Sequence, residues 1–178
     1  FGSRVAAAPS LSRRPMRRIV EPLTQMGARI EGAAGSSADG EVYPPLTIEG
    51  RRPLRAIRYS LPVPSAQVKS AILLAGLWAD APTTVMEPVA TRDHTERILR
   101  RYGLEVRSEQ GAVTLTPGSP KAPGRLELPG DFSSAAFFLV AAACVPAAAI
   151  TLEGVSLNPT RSALVEILGR MGARIQTT

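Results

Sequence analysis

A single cysteine, a single histidine and eight aromatic side chains among 178 residues deny this chain several chemistries at the outset. Cys144 alone cannot close an intrachain disulfide, and its setting in Ala-Ala-Ala-Cys-Val reads as a small buried hydrophobe rather than a reactive thiol. A reducing compartment, the cytoplasm, fits. His94 alone leaves no histidine-rich metal site and no triad that needs two histidines. With so few aromatics and no run of five like charges, the basic patch with stacking rings expected of a single-strand nucleic-acid binder is missing. Long apolar runs are also missing. The longest nearly uncharged stretch, Phe132 to Leu152, contains Pro146 and patterns as a helix followed by a strand, so no membrane segment is expected. Lysine is scarce too: of 21 basic residues only two are Lys, so the net charge of +6 rests on arginine. The planar fork of arginine suits phosphate and carboxylate, which brings anionic ligands into view, although most of these side chains are expected on a solvated surface. Phe1-Gly2-Ser3-Arg4-Val5 has neither an initiator Met nor a signal-peptide apolar region, and the chain is expected to begin inside a longer parent.

What is present is a 44% apolar share, enough for a packed core, and an internal repeat. Met26-Gly27-Ala28-Arg29-Ile30, Tyr102-Gly103-Leu104-Glu105-Val106 and Met171-Gly172-Ala173-Arg174-Ile175 each read as the end of a helix, a glycine that turns left-handed, and a strand. The helices before them are expected at Pro15 to Met26, Asp93 to Tyr102 and Thr160 to Met171, and a second helix type at Ser65 to Ala79 and Ser133 to Val145. Strands are expected at Leu46 to Ile48, Arg55 to Tyr59, Thr83 to Met86, Val113 to Thr116, Arg125 to Leu128 and Ala149 to Leu152, with loops at Gly32 to Gly40 and Pro117 to Gly124. The class is α/β with mixed sheets, and the Pro- and Gly-rich stretch Pro117 to Gly130 is the best domain boundary.

Pro64-Ser65-Ala66-Gln67-Val68-Lys69-Ser70 places small polar residues where the backbone turns into an apolar helix. The first N–H groups of a helix lack intrahelical partners and sit at the positive end of its dipole, so hydroxyl and amide groups there can join them around an anion. Ser65 is equally a plain N-cap. In Thr91-Arg92-Asp93-His94-Thr95-Glu96, Thr91 or Asp93 can cap a helix with Glu96 completing a capping box. Arg92, just ahead of that helix, can aim at the same sheet end as the Ser65 turn. Arg14, held before Pro15 and among Arg13, Arg17 and Arg18, is the member of that cluster placed to reach a ligand at a helix start. Asp131 reads either as an N-cap or as a hinge residue facing the cleft, and Asn158 as a cap with Arg161 behind it.

Taken in order, Ser10-Leu11 with Arg14-Pro15-Met16, Tyr43-Pro44-Pro45-Leu46, Ser65-Ala66-Gln67-Val68-Lys69-Ser70-Ala71, Arg92-Asp93-His94-Thr95-Glu96, Pro129-Gly130-Asp131 with Ser133-Ser134-Ala135, and Asn158-Pro159-Thr160-Arg161 closely resemble the motifs of the 5-enolpyruvylshikimate-3-phosphate synthase family. The resemblance implies two lobes of repeated βαβαββ units, incomplete here: residues 1–126 as most of the shikimate-3-phosphate lobe and 127–178 as a truncated beginning of the second. It implies transfer of the enolpyruvyl group of phosphoenolpyruvate to the 5-hydroxyl of shikimate 3-phosphate with release of phosphate, without metal or organic cofactor, by a cytoplasmic monomer. By the same resemblance Ser65, Ala66, Gln67 and Arg92 bind shikimate 3-phosphate, and Arg14 and Gln67 meet phosphoenolpyruvate, or glyphosate in its place. Two departures stand out. Pro64 replaces a small residue and removes a backbone donor. The family's early Gly-Asp-Lys-Ser segment and its later acid/base residues have no counterpart, so the chain is expected to be a central fragment, inactive in isolation and without catalytic residues of its own. The related UDP-N-acetylglucosamine enolpyruvyl transferases are the alternative enzyme, but their reactive-cysteine loop has no counterpart. A non-catalytic anion- or nucleic-acid-binding module on the same repeat is the alternative of another class.

Overall fold

A computed structural model of the chain describes residues 2–33 and 40–177. It divides into two compact units, Phe1–Pro123 and Gly124–Thr178. The loop expected at Gly32 to Gly40 lies largely outside the described residues. The first unit runs β1 (Gly2–Val5), α1 (Pro9–Ser12), α2 (Arg17–Gln25), β2 (Arg29–Glu31), β3 (Leu46–Glu49), β4 (Arg58–Ser60), α3 (Ala66–Gly76), β5 (Thr83–Met86), α4 (His94–Arg101), β6 (Val106–Glu109) and β7 (Ala112–Leu115). From β4 to β7 this is one complete βαβαββ unit.

Two sheets result. One has the order β1-β3-β2 with antiparallel pairing, the other the order β4-β5-β7-β6, in which β4 and β5 are parallel and the remaining pairs antiparallel. Helix α3 makes the crossover that parallel neighbours require. Its buried residues Val68, Ile72, Leu73 and Gly76 form one helical stripe, and they meet the buried stripe Thr83, Val85, Val113 and Leu115 of β5 and β7. The register sets Val85 opposite Val113 and Thr83 opposite Leu115, so one pleat face supplies all four. Each fully buried Ile72 or Leu73 contributes about 1.5–3 kcal/mol by removal from water. A side chain at Gly76 would put a Cβ 3.2 Å from that of Thr83, so the glycine lets helix and strand approach closely.

The three repeated helix endings are the same structure three times. Gly27, Gly103 and Gly172 have φ of 96°, 74° and 100°. In each case the residue after the glycine donates its N–H to the carbonyl five positions back: Ala28 to Leu23, Leu104 to Leu99 and Ala173 to Leu168. This is the closing pattern that a left-handed residue permits, and only glycine takes that φ without strain.

In the second unit the described residues form α5 (Phe132–Cys144) and α6 (Ala163–Arg170). Among the described residues the strands expected at Arg125 to Leu128, at Ala149 to Leu152 and after Gly172 do not form; the pairing present there is one parallel bridge between Gly130 and Val155. A strand needs a ladder partner, and within this unit those segments have none. For the same reason α5, apolar on every side, buries only Phe132 and Ala135 and leaves Phe137 78% exposed. Cys144, expected to be buried, is exposed at the end of that helix. Helix α6 starts at Ala163 rather than Thr160, because Asn158 caps the preceding turn, its Oδ1 accepting the Thr160 N–H at 3.1 Å.

Candidate anion site at the carboxyl ends of the parallel strands

The parallel strands β4 and β5 end on the same side of their sheet, where ligand crevices of open α/β sheets form. From Ser60 the chain passes through Pro62–Pro64 to Ser65, the N-cap of α3, whose extended backbone (φ −148°) turns into the helix. The Ser65 Oγ accepts the Val68 N–H at 3.4 Å, a long capping bond. Ala66 and Gln67 open the helix, and the Gln67 side chain is exposed without a partner among the described residues. From β5 the chain passes through Glu87 and the loop 88–93 into α4. Arg92 lies in that loop, exposed, with its guanidinium bonded to none of the described residues.

Between these two elements lies a buried polar knot. Lys69, on the second turn of α3, is 1% exposed, and its Nζ stands 2.5 Å from the Glu96 Oε1 of α4 and 3.0 Å from the Glu87 Oε2. The other oxygen of Glu87 accepts both the hydroxyl of Thr91, at 2.5 Å, and its backbone N–H, at 3.2 Å. The Glu87 N–H itself donates to the Gly111 carbonyl at 2.7 Å, which fixes the residue to the β6–β7 turn. One residue along each helix, Ser70 Oγ and Thr95 Oγ1 are 2.6 Å apart. The second oxygen of Glu96 is buried without a hydrogen-bond partner. Burying three charged groups is costly, and only their mutual pairing makes it tolerable.

This corrects the capping-box expectation. Glu96 turns inward to Lys69 instead of back to the helix start, and Asp93, at the N-cap position, pairs with Arg97 at 2.8 Å. The sequence motifs point to no ligand role for Lys69, Glu87 or Glu96. One signal was available: in an arginine-dominated chain, a lysine stands on the same helical stripe as Leu73 and Gly76.

Ser65, Ala66 and Gln67 are thus contiguous, and Arg92 is tied to them through Lys69, Glu87 and Thr91. Arg14 lies in the exposed bend between α1 and α2, where its N–H donates to the Leu11 carbonyl at 3.0 Å. No hydrogen bond or ion pair joins its side chain to the knot. In the second unit Asp131 caps α5, accepting the Ser133 N–H at 2.9 Å, and the Arg161 guanidinium donates to the Ser133 hydroxyl. Among the described residues no three His, Cys, Asp or Glu side chains converge to hold a metal, and no helix is long and apolar enough to cross a membrane.

The comparisons agree with one another. The sequence pattern of EPSP synthase (3-phosphoshikimate 1-carboxyvinyltransferase) matches residues 6–178. The chain is 53% identical to the 3-phosphoshikimate 1-carboxyvinyltransferase of Solibacter usitatus, over 99% of its own length and 40% of that protein. It is also 53% identical to that of Thermus thermophilus, over 94% of its length and 38% of the relative. The solved EPSP synthase of Acinetobacter baumannii superimposes with a TM-score of 0.82 at 47% identity, over 97% of this chain and 38% of that one. The chain therefore spans about two-fifths of the length of the relatives it matches.

Proposed function

Because this chain belongs to the EPSP synthase family, we propose that it is part of an enzyme that moves the enolpyruvyl group of phosphoenolpyruvate onto the 5-hydroxyl of shikimate 3-phosphate. A carbon–oxygen bond to the hydroxyl forms, the carbon–oxygen bond to the phosphate breaks, and the hydroxyl proton leaves as phosphate is released. The substrates are two small anions, and this portion supplies ligands to both of them.

What supports the reading most is the pairing, at one end of the parallel strands, of an open helix start with an uncommitted arginine. Around the Ser65 turn the first N–H groups of α3 offer the positive end of the helix dipole, and Gln67 adds a side-chain amide. The Arg92 guanidinium, unpaired and exposed, supplies the full charge and a two-pronged donor. Ser65, Ala66, Gln67 and Arg92 accordingly take shikimate 3-phosphate. Arg14 and Gln67 take phosphoenolpyruvate, Arg14 from the bend before α2. Two anions brought together against their repulsion need such fixed positive groups, and holding them adjacent supplies much of the rate. The first unit belongs to the shikimate-phosphate lobe and the second to the start of the other lobe. The enzyme works in the cytoplasm as a monomer, on small molecules rather than nucleic acid. The shared name of the relatives favours this branch over the sugar-nucleotide enolpyruvyl transferases.

The test is Arg92→Ala in the full reading frame that carries this chain. Loss of a charge-assisted hydrogen bond is worth about 1.5–3 kcal/mol, which is about a tenfold to 150-fold weaker affinity for shikimate 3-phosphate. Calorimetric titration of the variant decides it. Unchanged affinity with the fold intact would reduce Arg92 to a surface residue at a helix start.

A further inference from the structure

We infer that Thr91 is a positioning residue, held by the buried Lys69–Glu87 pair so that Arg92 keeps the aim that phosphate binding requires. The inference rests on the phosphate reading of Arg92 and adds a device that the reading does not contain.

The loop between β5 and α4 carries Arg92 on an exposed stretch, where a free backbone would sweep the guanidinium through many orientations. Here the loop is pinned on both sides of Arg92. On the near side Thr91 gives both its N–H, at 3.2 Å, and its hydroxyl, at 2.5 Å, to one oxygen of Glu87. On the far side α4 is fastened to α3 by Glu96 on Lys69, at 2.5 Å, and by Thr95 against Ser70, at 2.6 Å. Glu87 would be a poor anchor if it could swing. It cannot, since its second oxygen lies 3.0 Å from the Lys69 ammonium, its N–H is held by the Gly111 carbonyl at 2.7 Å, and its side chain is 6% exposed. Lys69 sits on the same helix that presents Ser65 and Gln67. One ammonium therefore references the charged half of the site to the helix-start half. Preorganisation of this kind is what turns an exposed arginine into a specific phosphate ligand rather than a diffuse positive field.

Thr91 touches no substrate in this scheme, so its effect must pass through Arg92. Lys69→Met strands two buried carboxylates and endangers the fold, so the test uses Thr91→Val, which keeps shape and backbone N–H and removes only the hydroxyl. In the full reading frame, Thr91→Val is expected to raise the Michaelis constant for shikimate 3-phosphate about two- to tenfold, the scale of one lost hydrogen bond, with kcat little changed. Made on top of Arg92→Ala, it is expected to change that constant no further, while lowering the thermal midpoint equally in both backgrounds. Thr91→Ser, which retains the hydroxyl, is expected to restore the constant. Full additivity of the two substitutions, or a Thr91→Val protein with unchanged affinity, overturns the positioning role while leaving Arg92 as a ligand. An Arg92→Ala protein with unchanged affinity overturns the phosphate reading, and the positioning role with it.

Discussion

Replacing Lys69 by methionine keeps the length and apolar stem of the side chain and removes only the ammonium, so the experiment isolates the charge at the centre of the knot. At contacts of 2.5 and 3.0 Å, and with an effective dielectric constant of about 20, the two ion pairs are each worth about 5–7 kcal/mol before desolvation is counted. Desolvation of three buried ions consumes most of that gain in the native protein. It is not refunded when only the cation is removed, because Glu87 and Glu96 stay in place, 6% and 2% exposed, facing each other across the gap. Lys69→Met should therefore cost about 3–5 kcal/mol, the range for leaving a buried charge uncompensated. Glu96→Gln is the matched control. It retains an Oε1 acceptor for Lys69 and puts an amide where Glu96 now has an oxygen without a partner, so it should cost about 1 kcal/mol. Urea unfolding followed by the fluorescence of Trp78, the only tryptophan and a residue of the first unit, reads both variants. A Lys69→Met loss under about 1 kcal/mol, or equal losses for the two variants, would refute the claim that unpaired carboxylate burial dominates the energetics here.

Arg14→Ala in the full reading frame should raise the Michaelis constant for phosphoenolpyruvate while binary binding of shikimate 3-phosphate stays nearly unchanged; matched losses of both, by steady-state kinetics and calorimetry, would withdraw the division of labour. Gly103→Ala should destabilise the first unit by about 1–2 kcal/mol through its φ of 74° alone, since the new Cβ would meet nothing nearer than the Lys121 Cδ at 3.8 Å. Gly103→Asn should cost visibly less in the same urea titration. Burial, and then the negative charge of Glu21, raises the Tyr59 phenol above its ordinary 10.0. The unfolded chain consequently loses this proton first as pH rises, and stability falls from about pH 10 up to the raised native value. Tyr59→Phe should remove that part of the alkaline slope, and an unchanged slope in urea midpoints between pH 9 and pH 11 would contradict it.

Much of the first unit was legible because its signals are local. A glycine after an apolar helical stripe specifies a left-handed turn whatever surrounds it, and Gly27 and Gly103 take it here as Gly172 does in the second unit, although the strand expected after Gly172 does not follow. The strand Thr83–Met86 forms to the residue where the sequence predicts it, bounded by Pro82 and carrying three β-branched residues, Thr83, Thr84 and Val85. The strands of the second unit failed because a ladder is not a local property. Ile150 and Leu152 have strand-like composition but no edge to join within Gly124–Thr178. The exposed members of the candidate site were legible by type, position and resemblance to a family. The knot beneath them was not, since Lys69, Glu87 and Glu96 come from three elements and each alone has a bland explanation. Nothing in Arg92-Asp93-His94-Thr95-Glu96 says that the glutamate faces inward, where it pairs with Lys69 instead of closing a capping box.

The charges of this site are sorted by depth, and dissolved salt will treat the two groups differently. At physiological ionic strength the screening length is about 8 Å, so mobile ions reach the exposed Arg92 and Arg14 and weaken their pull on an anion. They do not reach Lys69, shut away at 1% exposure between its carboxylates. Rising salt should thus loosen the hold of these arginines on an anion without altering the buried frame behind Arg92. At high salt, added exposed arginines at this end of the parallel strands would recover affinity for an anion and leave the buried scaffold that aims them untouched.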